Sequence, residues 1–444
     1  MRTRADLRLG QAAWSAGFTI VLFAPLLLTL GAGDTDDLVM ELSLTFGVIA
    51  ASVLTCTVVA ASRMRSLTQA FGIEQLLRTH RWLAVATLLV VLVHLALVVA
   101  DDPANLHLLV PWTAPPRARA ATVATVSLVL LCVLSLLRQR LGTRYEAWRW
   151  LHVVLGLGAV SGSALHVLWL RHLTQDQLML RWFELSLAIL TGVLGYRWVV
   201  RPLLATRHAY VIDTLRRESD SVSTLVLRPL RHRHRGLRFD PGQFAWLRLD
   251  RPLAPAEEHP FTIASGAHRP RELEFTIRDA GDFTALVRRM RPGRRVYIDG
   301  PHGSFTVDAR RAHGLVLVAG GVGITPMMSM LRTLAHRRDD RPHLLLVGAK
   351  TVDDLLFRDE LADLARRLHL TVVEVVSAPP PWWTGRTGRV DRRLLDEVLP
   401  RAVHTGGFDV YICGPPAMLE GVSTALDELG VPAAHVHTEQ FDMV

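Results

Sequence analysis

Across the first 200 residues apolar side chains gather in six stretches, at about 12–30, 41–62, 80–100, 121–137, 150–170 and 182–200. Each is near the roughly 20 residues that cross a bilayer as a helix. From 210 onward the pattern shortens to alternating runs, YVIDTL, SVSTLVLRPL, GQFAWLRL, PFTIAS, ELEFTIR and RRVYIDG, separated by turns such as DPGQ and RPGR. Period-2 alternation predicts six antiparallel strands, with one short helix at about 282–290, curled into a small barrel. From 314 buried-strand runs (LVLVAG, HLLLVGA, TVVEVVSA, FDVYIC) alternate with helical patterns. That alternation predicts a parallel sheet with helices on both faces. The expected fold class is a multi-domain membrane protein. An all-α six-helix transmembrane bundle occupies 1–204, an antiparallel β-barrel 205–310 and an α/β parallel-sheet domain 311–444.

Charge sets the orientation. The net charge is +9, Lys350 is the only lysine, and the arginines flank the apolar stretches. Arg2, Arg4 and Arg8 precede the first stretch. Arg63, Arg65 and Arg78 lie between the second and third. Arg138, Arg140, Arg144 and Arg149 lie between the fourth and fifth, and Arg197, Arg201 and Arg207 mark the exit from the sixth. The other connections are acidic or mixed, so both termini and everything after the bundle are expected in the cytoplasm, with the bundle in the plasma membrane. Trp82, Trp112, Trp150, Trp169 and Trp182 are expected as interfacial anchors. No basic stripe interleaved with aromatics appears, so nucleic acid is not an expected partner. Cys56, Cys132 and Cys413 are too scattered to hold an iron–sulfur cluster or form a zinc site. The charged N-terminus lacks a small-residue cleavage site and reads as a retained first helix.

The third stretch carries His80 and His94, the fifth His152 and His166, each pair 14 residues apart. On a helix that spacing is roughly 21 Å of rise and returns the second side chain to within about 40° of the first. With two reversals between them, the third and fifth helices run parallel. His80 is then level with His152, and His94 with His166. Intramembrane ionisable groups are costly and default to function. Two imidazoles facing each other across a helix gap suit axial ligation of haem iron. Zinc would need further ligands, and none is near. His107 and His172 read as solvent-facing loop residues.

In the last third, Gly320-Gly321-Val322-Gly323-Ile324-Thr325-Pro326 follows a strand and opens a helix. Glycines there let a pyrophosphate approach backbone N–H groups. With PGQF at 241–244, HPFTIAS at 259–265, GPHGSF at 300–305 and CGPPAM at 413–418, the chain resembles the ferredoxin-reductase-type flavoprotein module. Behind six membrane helices with paired histidines, it resembles the ferric reductase/NADPH oxidase family.

That resemblance implies FAD, NADPH or NADH, and two b-type haems. It implies that His259, Pro260, Phe261 and Thr262 line the flavin, and that Arg278, Gly281, Asp282, Phe283 and Thr284 bind its pyrophosphate. Gly320, Gly321, Gly323, Thr325 and Pro326 match the nicotinamide-dinucleotide phosphate loop. Cys413, Gly414 and Pro415 match the turn beside the nicotinamide, with Pro416 completing the motif. Glu439 and Phe441 match the C-terminal acid and stacking aromatic. Cys413, Glu439 and Phe441 are therefore the expected catalytic residues. Lys350 and Arg386 are candidate cations for a 2′-phosphate. Some superoxide-forming members have a further histidine one turn beyond the outer ligand of the third helix, where this chain has Val98. No calcium loop of the D-x-D-x-D-G type appears. The expected activity is transfer of electrons from cytoplasmic NAD(P)H to an extracytoplasmic acceptor. A ferric chelate is slightly favoured over dioxygen; the alternative is a membrane subunit that feeds a partner protein.

Overall fold

A computed structural model describes residues 4–31, 38–142, 145–170, 176–205, 209–231, 235–250, 258–307 and 312–440. The chain divides into two compact units, Met1–Pro202 and Leu203–Val444.

Among the described residues of the first unit, six helices are long and apolar enough to span a membrane: Arg4–Gly31, Leu38–Ala60, Ile73–Asp101, Pro116–Leu136, Tyr145–Leu168 and one that begins at Gln177. They are called here the first to sixth spans. The third is longer than hydropathy alone predicts. Gly72, at φ 76°, breaks it from a short helix, Arg65–Phe71, so the span begins at Ile73 and His80 lies two turns inside it. The second span is the buried one, with Val48, Val53, Cys56 and Ala60 inside the bundle. Leu89, Leu92, Val154 and Leu157 are instead exposed on the third and fifth spans. Trp82, Trp112, Trp150 and Trp169 face outward as expected, but Trp182 is buried. The third span packs along the second, and the fifth along the fourth. Gly158 and Gly162 bring the fifth span to backbone contact with the fourth. A Cβ at Gly162 would lie 2.8 Å from the Ala120 carbonyl, and one at Gly158 would lie 2.7 Å from Ser127 Oγ. Small residues four apart are how helices approach closely in a bilayer.

The second unit opens with six antiparallel strands: β1 Ala209–Arg217, β2 Val222–Pro229, β3 Phe244–Leu249, β4 His259–Thr262, β5 Leu273–Arg278 and β6 Arg295–His302. Their order, β4-β3-β6-β1-β2-β5, makes a curled sheet, or half-barrel, around Tyr210, Leu225, Leu227, Leu247 and Phe275. A second sheet follows: β7 Gly314–Gly320, β8 His343–Ala349, β9 Leu370–Val376, β10 Arg386–Thr387, β11 Phe408–Gly414 and β12 Val436–Gln440. It is parallel, in the order β10-β9-β8-β7-β11-β12. Val316 and Val318 pack under one layer of helices, while Leu315 and Leu317 pack under the other. This is why β7 reads as unbroken apolar rather than alternating.

The helix Ile324–Arg337 joins the two sheets. Its Ser329 Oγ donates to the Ser265 carbonyl at 2.9 Å, and its Thr333 Oγ1 accepts from the Ala267 N–H at 2.9 Å. Arg332 donates to both Glu360 oxygens at 2.6 Å, to Glu274 at 2.9 Å and to the Ala264 carbonyl at 2.7 Å. Burial opposes its charge, but Glu360 and Glu274 outweigh burial and hold its pKa above the ordinary arginine value. Its side chain is only 12% exposed, so losing it leaves the buried Glu274 carboxylate with Arg216 alone, at 3.0 Å. Arg332→Met should cost about 3 kcal/mol and lower the melting temperature of the flavin-binding unit. Adding Glu274→Gln and Glu360→Gln should recover part of that loss. Melting followed by flavin fluorescence checks both, and an unchanged midpoint in the single variant would remove Arg332 as the bolt.

Candidate functional site

The four membrane histidines are half-buried, and each meets a neighbouring helix through Nδ1. His80 Nδ1 lies 2.9 Å from the Thr57 carbonyl, and His94 Nδ1 lies 2.7 Å from the Ser43 carbonyl, both on the second span. His166 Nδ1 lies 2.9 Å from the Arg117 carbonyl at the start of the fourth span. A carbonyl can only accept, so in these three rings Nδ1 carries the proton and Nε2 keeps its lone pair. His152 Nδ1 lies 3.5 Å from Ser135 Oγ. Metal-bound imidazoles are held in this way. Gly47 lies flush against His94, where a Cβ would come within 3.2 Å of the ring.

The His80 and His152 ring centroids are 6.2 Å apart. Two metal–nitrogen bonds of about 2 Å, with half a ring beyond each nitrogen, require a separation of about 6 Å across one iron. The inner pair thus fits a six-coordinate haem iron, and the common 14-residue spacing puts His94 level with His166. The four histidines stand out in the sequence, but their hydrogen-bond partners do not. Thr57, Ser43 and Arg117 act through backbone atoms, which leave no signature in residue identity.

In the half-barrel, β4 presents His259 and Phe261 to Phe283. The His259 and Phe283 rings stack at 4.0 Å and 27°, with Phe261 at 5.9 Å from Phe283. Thr262 is buried, and its Oγ1 has no hydrogen-bond partner among the described residues. A buried hydroxyl without a partner is costly unless a ligand meets it, which suits a flavin edge. Pro260 lies between these residues in β4. Gly281 caps the short helix Asp282–Val287, where Thr284 Oγ1 accepts from the Ala280 and Gly281 N–H groups at 2.8 and 2.9 Å. Arg278 ends β5 but reaches the second sheet, with Nη2 3.6 Å from Asp354 Oδ1.

The nucleotide loop sits where the sheet order reverses, between β7 and β11. Open parallel sheets leave a ligand crevice at such a point. The loop presses against the β11 turn at backbone contact. A Cβ at Gly323 would lie 2.3 Å from the Cys413 carbonyl oxygen, and one at Gly320 would lie 2.8 Å from Pro415 Cδ. Thr325 Oγ1 donates to the Val322 carbonyl at 2.9 Å, and Pro326 is buried in the first turn of the helix. Cys413 and Glu439 are register partners on β11 and β12, and both are buried. Glu439 Oε1 lies 3.7 Å from where a Cβ on Gly303 of the half-barrel would be, so the two sheets converge here. Gly414 lies beside Gly320 at the same junction. Lys350 follows β8 and is exposed. Arg386 lies on the edge strand β10 in a bidentate pair with Glu397, one contact at 2.7 Å. Phe441 lies outside the described residues.

Comparison with known proteins places three families along the chain in order. Residues 46–163 match the ferric reductase like transmembrane component, 218–306 an FAD-binding domain, and 317–424 the oxidoreductase NAD-binding domain. Ferredoxin–NADP reductase B of Sorangium cellulosum is 37% identical over 212 residues, 46% of this chain and 86% of that protein. The reductase component of propane 2-monooxygenase from Rhodococcus jostii is 31% identical over 214 residues, 46% of this chain; the chain spans only 56% of that protein's length. Among solved structures, the flavohaem-like FAD/NAD-binding domain of Vibrio cholerae nitric oxide dioxygenase is 22% identical, with a TM-score of 0.47 over 53% of this chain and 98% of that one. With a ferric reductase like membrane component ahead of FAD- and NAD-binding domains, the chain is an integral membrane oxidoreductase whose domain order matches a ferric reductase/NADPH oxidase-like fusion.

Proposed function

We propose that the chain moves electrons from NAD(P)H on the cytoplasmic face of the plasma membrane to an acceptor on the other face. Two b-type haems would be held by His80 with His152 and by His94 with His166. FAD would be held by His259, Pro260, Phe261, Thr262, Gly281, Asp282, Phe283 and Thr284. When bound, FAD takes a two-electron hydride and releases electrons singly, and a bis-imidazole haem iron takes one at a time. The observation that carries the reading is the engagement of three ring Nδ1 atoms by backbone carbonyls, with the inner rings 6.2 Å apart.

The protein's part is positioning. The carbonyls of Thr57, Ser43 and Arg117 fix the tautomers and aim Nε2. Gly320, Gly321 and Gly323 leave room for a pyrophosphate, with Thr325 and Pro326 setting the first turn behind them. Cys413, Gly414 and Pro415 would border the nicotinamide, with Glu439 beside Cys413 and Phe441 as the stacking aromatic. Lys350 favours NADPH over NADH through a 2′-phosphate. Arg386 would join it only by leaving Glu397.

We assign the acceptor as a ferric chelate rather than dioxygen. Two imidazoles on each iron would leave no open site, so either acceptor would be reduced at the haem edge; Val98, which supplies no further imidazole beyond His94, favours the chelate. One NAD(P)H would then reduce two ferric ions and release one proton.

His94→Leu and His166→Leu should each lower the haem content from two to one per chain while NADPH still reduces the flavin. Optical spectra with a haem assay check this, and two haems in both variants would refute the pairing. Purified protein with NADPH and a ferric chelate should form ferrous iron at a rate that superoxide dismutase does not change. Suppression by the dismutase would transfer the assignment to dioxygen, and turnover only with an added protein would make the chain a donor subunit.

A further inference from the structure

The guanidinium of Arg278 lies on the glycine loop of the other sheet. At Gly321, where φ is +54°, a Cβ would meet Arg278 Nη2 at 2.9 Å, Cζ at 3.4 Å and Nη1 at 3.6 Å. The group therefore rests against the loop, at a position whose positive φ favours glycine. Its charge is poorly matched by protein. Asp354 Oδ1, at 3.6 Å, is too distant for a hydrogen bond. The other Asp354 oxygen already accepts from the Thr351 N–H at 3.3 Å and the Thr351 hydroxyl at 3.0 Å. Asp279, next in sequence, is taken by Arg288 at 3.1 Å. Arg278 Nε is buried, with no hydrogen-bond partner among the described residues. A planar, five-donor cation thus stands between the loop after β7 and the turn after β8 with donors to spare. An extended dinucleotide must lay its phosphates across that stretch.

We propose that Arg278, supplied by the flavin half-barrel, binds the pyrophosphate of the nicotinamide dinucleotide rather than that of FAD. The nucleotide site is then complete only when both sheets are docked. The dinucleotide tightens that junction by giving Arg278 the anion that Asp354 only partly provides. Because the pyrophosphate is common to both nucleotides, Arg278 sets affinity for NADPH and NADH alike, and discrimination between them belongs to residues such as Lys350. This assignment rests on the dinucleotide-binding reading of the same loop.

The test uses the full-length protein in detergent, with bound FAD measured by absorbance and flavin reduction followed by stopped flow. Arg278→Gln should weaken apparent binding of NADPH and NADH by a similar factor, roughly tenfold or more, with FAD per chain unchanged. Arg278→Lys should recover part of the loss, since a point charge replaces the bidentate fork. Raising salt should weaken NADPH binding less in Arg278→Gln than in the parent chain. Loss of FAD with unchanged nucleotide affinity would return Arg278 to the flavin pyrophosphate and overturn the proposal. So would unchanged affinity with FAD retained, or a loss confined to NADPH. Failure of either nucleotide to reduce the flavin of the parent chain would overturn the dinucleotide reading itself, and the assignment with it.

Discussion

An imidazole inside a bilayer has two nitrogens to satisfy and no water to help, and that constraint organises the membrane half. The carbonyls of Thr57, Ser43 and Arg117 each engage one nitrogen, and because they only accept, they leave the other bare. A bare nitrogen in a low-dielectric layer is costly unless something electrophilic meets it. The arrangement is therefore poor as a purely structural device and good as a metal site. It also explains the pairing of the helices. The second span lies against the third and the fourth against the fifth, so each histidine-bearing helix has its own supporting helix while the His80 and His152 rings look at each other.

The soluble half solves a different problem. A hydride donor and a flavin must meet although each is held by a separate sheet. Arg332 and Ser329 fix the helix that follows the glycine loop onto segment 264–267, directly after β4. Through that one helix the glycine loop and β4 are held as parts of one frame. Glu439 near Gly303, and Arg278 on Gly321, cross the same junction. Both glycines hold positive-φ backbone, Gly303 at +100° and Gly321 at +54°, that favours glycine.

Much of this was legible in the sequence. Six spans, the change to period 2 after residue 209 and the later strand–helix alternation announce three kinds of layer, because burial on one face or both leaves a direct mark on residue order. The histidine spacing was equally legible, since equal intervals on parallel helices must give level pairs. What could not be read is whatever passes through backbone atoms or across sheets. Nothing in the letters for Thr57 or Ser43 says that their carbonyls serve a ring more than 20 residues away. Trp182 looked like an interfacial anchor because its position near a helix end is visible, whereas its burial depends on which neighbour covers that end. Arg386 and Arg278 are both basic residues at strand ends, yet one is committed to Glu397 and the other is left short of partners.

Glycine links the two halves through a single physical rule. In the fifth span Gly158 and Gly162 let the fourth span come within backbone contact, and that closeness puts the Arg117 carbonyl within reach of His166. In the nucleotide domain Gly320 and Gly323 do the same between the β7 loop and the β11 turn, closing the floor of the crevice against Cys413. A methyl at Gly162 or Gly323 would need more than a local adjustment, because the nearest atoms it meets are backbone. The separation it forced would be passed on to a histidine in one case and to the β11 turn in the other. Electron transfer falls steeply with distance and hydride transfer requires near contact. Residues without side chains therefore set the distances on which the side chains' chemistry depends.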